Sequence, residues 1–243
     1  MGKYSIVIFD LDGTLTDPGA GIVNTIRSVI AELGGKAPRA EELKWCVGPP
    51  LREIFTRLLA PAGKEERAES EGRGGLGAAA GTNESKTPSI GEAVGRASAL
   101  YLQRYAESGA AESVAYQGVN QVLTELRKVA RLFVVTSKNT ATAERILGMC
   151  GLKRYFEEVI GNGRLNDKSD MVRDLIDREG IERATAAMVG DREFDIRAGK
   201  NNGIFSIGVT YGYGSRAELE AAGADRLCES PTEVARLLLS AEG

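Results

Sequence analysis

The chain has 243 residues, a formal net charge of -3, three cysteines and no histidine. That length holds one substantial domain with a smaller one attached, and it buries a core without disulfide or metal staples. The missing histidine excludes imidazole general bases, histidine-containing triads and nearly every ordinary zinc site, and the weak net charge makes no electrostatic case for a nucleic acid polymer.

In chain order, Tyr4 to Phe9 is predicted as a buried strand: short, aromatic and branched, and cut off by the carboxylates and glycine of VIFDLDGTLTD. A helical stretch follows, with apolar periodicity over Ala20 to Leu33, Glu41 to Val47, Leu51 to Leu59 and Ile90 to Glu107 and no strand expected between them. Residues 69–89 are rich in glycine, alanine and small polar groups and read as a flexible loop. Beyond about Ala115, strands at Leu132 to Thr136, Ala186 to Gly190 and Ile204 to Val209, with a weaker one at Glu157 to Ile160, alternate with helices. These cover Val119 to Lys128, Ala141 to Cys150, Lys168 to Glu179 and Asp195 to Asn202. The alternation predicts an α/β fold: a Rossmann-like parallel sheet covered on both faces, with a helical cap inserted after the first strand. Residues 1–16 and 116–243 form the expected core and 17–115 the expected cap.

Such sheets bind ligands beyond the carboxyl ends of their strands, and those ends carry the polar residues. Asp10 and Asp12 follow the first strand. A carboxylate there can attack phosphorus, with a second one transferring protons, while Gly13 lets the backbone pass close to an anion. The competing reading is an Asx turn, which leaves the second aspartate idle. Thr136 and Ser137 can hold phosphoryl oxygens; in the alternative, Thr140 or Asn139 caps the next helix and Thr136 merely fills a polar strand end. Lys168 opens a helix, where the dipole disfavours a cation unless solvent or an anion compensates it; Lys138 and Lys153 are rivals that read as helix-start or surface residues. In VGDREFDIRAG, Asp191 and Asp195 can join Asp10 and the backbone carbonyl of Asp12 around a hard divalent ion; in the alternative, Asp191 caps a helix with Glu193 as a favourable first-turn charge. Cys46, Cys150 and Cys228 lack metal or redox spacing and read as small buried residues.

At these residues the chain resembles the haloacid dehalogenase superfamily, in its phosphatase branch. DLDGT is similar to the first family motif, the strand ending at Thr136 to the second, Lys168 to the third and GDREFD to the fourth. The resemblance implies that Asp10 is the nucleophile, Asp12 the general acid and base, Thr136 and Lys168 the phosphate holders, and Asp191 and Asp195 the residues positioning Mg2+. An aspartate at position 12 favours phosphatases over the ATPase branch. Val47 to Phe55 and Gly208 to Ser215 are similar to phosphoglycolate phosphatase-like and nucleotidase-like members, implying a contact from Arg52 to the distal part of the substrate. The loose stretch between Leu59 and Ile90 departs from the compact connection usual there.

The resulting expectation is a cytoplasmic, magnesium-dependent phosphomonoesterase acting on a small phosphorylated metabolite. Phosphoglycolate, nucleoside monophosphates and sugar phosphates share the reacting group; a sugar-phosphate phosphotransferase of the β-phosphoglucomutase kind and a phosphate-accepting receiver are the alternatives. No apolar run reaches the roughly 18 to 20 residues of a membrane span, and neither a secretory signal nor a membrane partner is expected. A monomer and a homodimer are both compatible with the sequence.

Overall fold

The computed structural model describes residues 3–47, 49–60, 89–165 and 167–240. The first strand, β1 (Ile6–Phe9), leads through a tight turn into β2 (Thr16–Asp17) and helix α1 (Gly19–Glu32). A 3-10 segment, Ala40–Cys46, precedes α2 (Leu51–Leu59), and α3 (Ile90–Glu107) is followed by β3 (Val114–Ala115). The remainder alternates: α4 (Val119–Leu126), β4 (Arg131–Asn139), α5 (Thr140–Met149), β5 (Glu158–Asn162), α6 (Lys168–Glu179), β6 (Ala186–Gly190), α7 (Glu193–Asn201), β7 (Phe205–Val209), α8 (Arg216–Ala221), β8 (Arg226–Cys228) and α9 (Pro231–Leu239).

Six strands make one parallel sheet in the order β5-β4-β1-β6-β7-β8. The period-2 geometry of a strand sends neighbouring side chains to opposite faces, so every central strand is apolar at nearly every position. Val7 and Phe9, Leu132 and Val134, and Ala187 and Val189 enter one core with α4, α5 and α9. Ile6 and Ile8, Phe133 and Val135, and Ala186 and Met188 enter the other, against Met171, Val172, Leu175 and Ile176 of α6. From β1 the chain builds outward to β4 and β5, then returns to the other side of β1 to add β6. The divergence lies at the carboxyl end of β1, where a crevice opens for ligand.

Two features differ from the sequence reading. The helical stretch has a strand at each end: Thr16 pairs with Ala115 and Asp17 with Val114 in an antiparallel ribbon that gathers its entry and exit. Strands of two residues carry no alternation, so periodicity cannot reveal them. The chain also continues past β7 into β8 and α9, which extend the sheet and cover its face. The glycine-rich stretch at 69–89 lies outside the described residues except for Ser89, whose hydroxyl caps α3 by accepting the Glu92 N–H. Cys46 and Cys228 are buried and Cys150 is half-buried, all as free thiols.

Candidate active site

The turn after β1 sets the first two carboxylates. Leu11 O accepts the N–H groups of Leu15 and Thr16, and Gly13 N donates to Thr16 O at 2.8 Å, winding the backbone sharply. Gly13 has φ +85°, and a Cβ there would stand 2.2 Å from Asp191 Oδ2, so both conformation and space require glycine. Asp10 N donates to Val189 O at 2.9 Å, locking the end of β1 against β6.

Asp191 leaves β6 directly, and Asp195 is in the first turn of α7. Asp191 does not cap that helix. Its Oδ2 accepts Tyr213 N–H at 2.8 Å and its Oδ1 accepts the Thr14 hydroxyl at 3.4 Å. Asp195 Oδ2 accepts Arg192 N–H at 2.9 Å, leaving Oδ1 turned to Lys168. From the first residue of α6, behind the Asp167 cap, Lys168 Nζ reaches Asp10 Oδ1 at 2.7 Å and Asp195 Oδ1 at 2.5 Å. One oxygen from each of Asp10, Asp191 and Asp195 lies within 4.8 Å of the others, and all three residues are buried.

One ammonium among three buried carboxylates leaves the cluster short of positive charge. Burial, then the Asp10 and Asp195 charges, push Asp191 up to about 8. Burial pushes Asp195 up to about 6 against the pull of Lys168. Burial alone would lower Lys168, but Asp10 and Asp195 outweigh it and hold the lysine above its ordinary value. A hard divalent cation with oxygen ligands meets this deficit, and the donor set suits magnesium; no histidine or thiolate competes for the site.

Asp12 faces a different cation. Lys138 Nζ contacts its Oδ2 at 2.9 Å, while Oδ1 is buried and has no hydrogen-bond partner among the described residues. Burial raises the carboxyl above its usual range, with Lys138 opposing. Lys138 is thus neither a helix-start nor a surface residue: it is drawn inward to Asp12 and to Tyr105 of α3. The sequence reading missed it because its anion stands more than a hundred residues away. Lys153 is on the surface, paired with Glu144 at 3.1 Å.

Thr136 is buried within β4, which runs three residues past the expected end to Asn139; its Oγ1 accepts Lys138 N–H at 3.2 Å, and Ser137 beside it is exposed. Asn139, one of the two expected caps, caps α5 by accepting Ala141 N–H at 3.0 Å. Arg52 is exposed on α2, its carbonyl accepting the Thr56 hydroxyl. Gly48, in the same stretch, lies outside the described residues. Three further residues tie the site together without having been singled out for it. Thr14 bonds Asp191, Tyr211 OH donates to Thr14 O at 2.9 Å, and Tyr213 OH bonds Asp17. The glycines of the same loop are forced by close approach, since a Cβ at Gly212 would lie 2.4 Å from Gly13 O and one at Gly214 1.8 Å from Asp191 O.

The sequence model of haloacid dehalogenase-like hydrolases matches residues 7–209, a span that includes Asp10, Asp12, Thr136, Lys168, Asp191 and Asp195. The chain is a haloacid dehalogenase-like hydrolase. Among relatives of this hydrolase, a 5'-nucleotidase of Pseudomonas aeruginosa is 30% identical over 244 residues, covering 98% of this chain and 97% of that protein. A phosphoglycolate phosphatase of Psychrobacter arcticus is 28% identical over 86% of this chain and 84% of its own. A crystal structure of a predicted phosphatase from Clostridium acetobutylicum superposes with a TM-score of 0.76 at 30% identity, covering 97% of this chain and 98% of that one. The hydrolase therefore stands on the phosphatase side of its family. No helix among the described residues is long and apolar enough to cross a membrane.

Proposed function

We propose that this hydrolase is a magnesium-dependent phosphomonoesterase working through an aspartyl phosphate, with a small phosphorylated metabolite as substrate. The observation that carries the reading is the buried cluster of Asp10, Asp191, Asp195 and Lys168 at the divergence point of the sheet, with Asp12 one turn away.

Asp10 attacks phosphorus in line, and the bond to the ester oxygen breaks as the carboxylate-phosphorus bond forms. Asp12 gives its proton to the departing alcohol, then takes one from the water that hydrolyses the acyl phosphate. Lys168 balances the charge of Asp10 and of the arriving phosphoryl group, and Thr136 offers its hydroxyl to a phosphoryl oxygen. Asp10, Asp191, Asp195 and the carbonyl of Asp12 would hold Mg2+, which when bound neutralises phosphoryl charge. Residues 17–115 act as a cap over a core of 1–16 and 116–243, shielding the reaction from water and presenting Arg52 to the far end of the substrate.

Phosphoglycolate is the first candidate substrate, from the likeness of Val47 to Phe55 and Gly208 to Ser215 to that group. Nucleoside monophosphates are the second, because a relative aligned along almost the whole chain is a 5'-nucleotidase. A cytoplasmic location fits either. The test is a phosphate-release screen over small phosphate esters with magnesium and with a chelator, followed by specificity constants for the hits. Release confined to magnesium and lost in Asp10→Asn supports the reading; near-normal release by that variant overturns it. Transfer of the group to a second sugar hydroxyl instead of water would make the protein a phosphotransferase.

A further inference from the structure

Lys138 has no part in the scheme above, yet it is one of two lysines drawn into the catalytic edge. Its side chain is 14% exposed and spans two parts of the fold. On one side its Nζ lies 2.9 Å from Asp12 Oδ2. On the other it lies 3.3 Å from the hydroxyl of Tyr105 and 4.4 Å from that ring's centroid. Tyr105 stacks on Tyr101 at 5.5 Å, and Tyr101 meets Phe55 of α2 edge-on at 6.1 Å, so the brace is anchored in the aromatic packing of the helical insertion. The backbone beneath Lys138 is equally constrained, since a Cβ at Gly161 would stand 2.4 Å from Lys138 O.

An ammonium only donates hydrogen bonds. The Asp12 oxygen that faces it must therefore accept, and a proton carried by Asp12 is confined to the opposite oxygen, Oδ1. That oxygen is the one left buried without a partner among the described residues, at a cost a protein tolerates where a ligand supplies the missing bond.

We propose that Lys138 is a positioning residue for proton transfer: by gripping Asp12 Oδ2, braced by Tyr105 of the helical insertion, it presents Oδ1 to the leaving oxygen of the substrate. The proposal rests on the phosphomonoesterase reading and deepens it. In the first half-reaction the P–O(ester) bond breaks, the electron pair stays on the ester oxygen, and the proton on Oδ1 moves to that oxygen. In the second, the same Oδ1 takes the proton of the attacking water. Lys138 holds the far side of the carboxyl throughout and transfers nothing itself. Tyr105 makes the arrangement depend on the insertion standing over the sheet edge.

The test uses two esters of similar size and unlike leaving groups. Benzyl phosphate expels an alkoxide that needs a proton; 4-nitrophenyl phosphate expels a stable anion that does not. General acid catalysis contributes roughly 10²–10⁴-fold. In Lys138→Met, kcat/KM, which reports the first step, should fall roughly a hundredfold for benzyl phosphate, the lower end of that range, and under about tenfold for 4-nitrophenyl phosphate. Lys138→Arg keeps the charge should the methionine variant fail to fold. Its planar fork engages both carboxylate oxygens, so it should show the same selective loss. Equal losses on both esters, or a wild-type ratio, in a variant that melts like wild type would overturn the proposal. Asp12→Asn separates the two levels: selective loss there but not at Lys138 refutes only the positioning role, and no selectivity at Asp12 refutes the acid assignment beneath it.

Discussion

Replacing Lys168 with methionine preserves side-chain length and removes the only ammonium touching Asp10 and Asp195 among the described residues. The lysine and its partners are nearly dry, with side chains 8%, 8% and 1% exposed. Breaking a buried ion pair by deleting one partner costs about 3–5 kcal/mol, because the remaining charges are left uncompensated. In a chain of this length each kcal/mol moves the melting temperature by roughly 2–4 °C, so the variant should melt roughly 6–20 °C lower in the presence of a chelator. The cost must also depend on pH. Asp195, raised by burial to about 6, and Asp191, raised by burial and its acidic neighbours to about 8, can take protons in place of the lost ammonium. At pH 5 both hold protons in the native state and the penalty shrinks; at pH 8 it is largest. Lys168 is itself raised, burial notwithstanding, by Asp10 and Asp195. Its own protonation is therefore complete below the unfolded lysine value and adds no pH dependence over this range, which leaves the carboxyls as the source of the difference. Scanning calorimetry of both proteins at pH 5 and pH 8 reads the effect. A drop under about 2 °C at pH 8, or a larger drop at pH 5 than at pH 8, would refute the role of Lys168 as counter-charge.

In wild-type protein with a chelator, stability should decline as pH rises from about 4, the unfolded carboxyl value, to about 8. Across that window the native Asp191 and Asp195 still hold protons that the unfolded carboxyls have already released, so rising pH favours the unfolded state until the native groups ionise in turn. Magnesium should restore most of the loss at pH 8, and a melting temperature flat in pH and indifferent to magnesium would contradict the charge deficit. Gly13→Ala should cost about 1–2 kcal/mol from its left-handed backbone alone. The added methyl also meets Asp191, so magnesium should no longer raise the melting temperature; a magnesium response equal to wild type would count against the packing described. Asp10→Asn should stay folded by circular dichroism while releasing no phosphate, and activity within tenfold of wild type would remove Asp10 as nucleophile.

Strands β1, β4, β5, β6 and β7 of the sheet were readable because burial on both faces demands continuous apolar runs such as IVIF and AAMVG, and their flanking helices have a clear period, whereas the three-residue edge strand β8 was not. The ribbon of Thr16–Asp17 with Val114–Ala115 was not, since two-residue strands gain their identity only from the partner across the gap. Lys168 and Lys138 illustrate the same divide within the site. Lys168 stood out because a cation at a helix start conflicts with local electrostatics and calls for an anion. Lys138 conflicts with nothing nearby in sequence, and only folding brings Asp12 and Tyr105 to it.

Carboxylates at strand ends, an absence of imidazole and a strand-helix alternation are local properties, and from them the sequence by itself determined a parallel sheet, its reactive edge and the chemistry available there, though not the order of its strands or its last strand. Which oxygen of each carboxylate is occupied, which cation faces which anion, and how the helical insertion touches the proton-transfer residue were decided by the tertiary structure alone. The reason is distance along the chain: Asp10 meets Lys168, Thr14 meets Asp191 and Asp12 meets Lys138 across separations over which no pattern of neighbouring residues carries information.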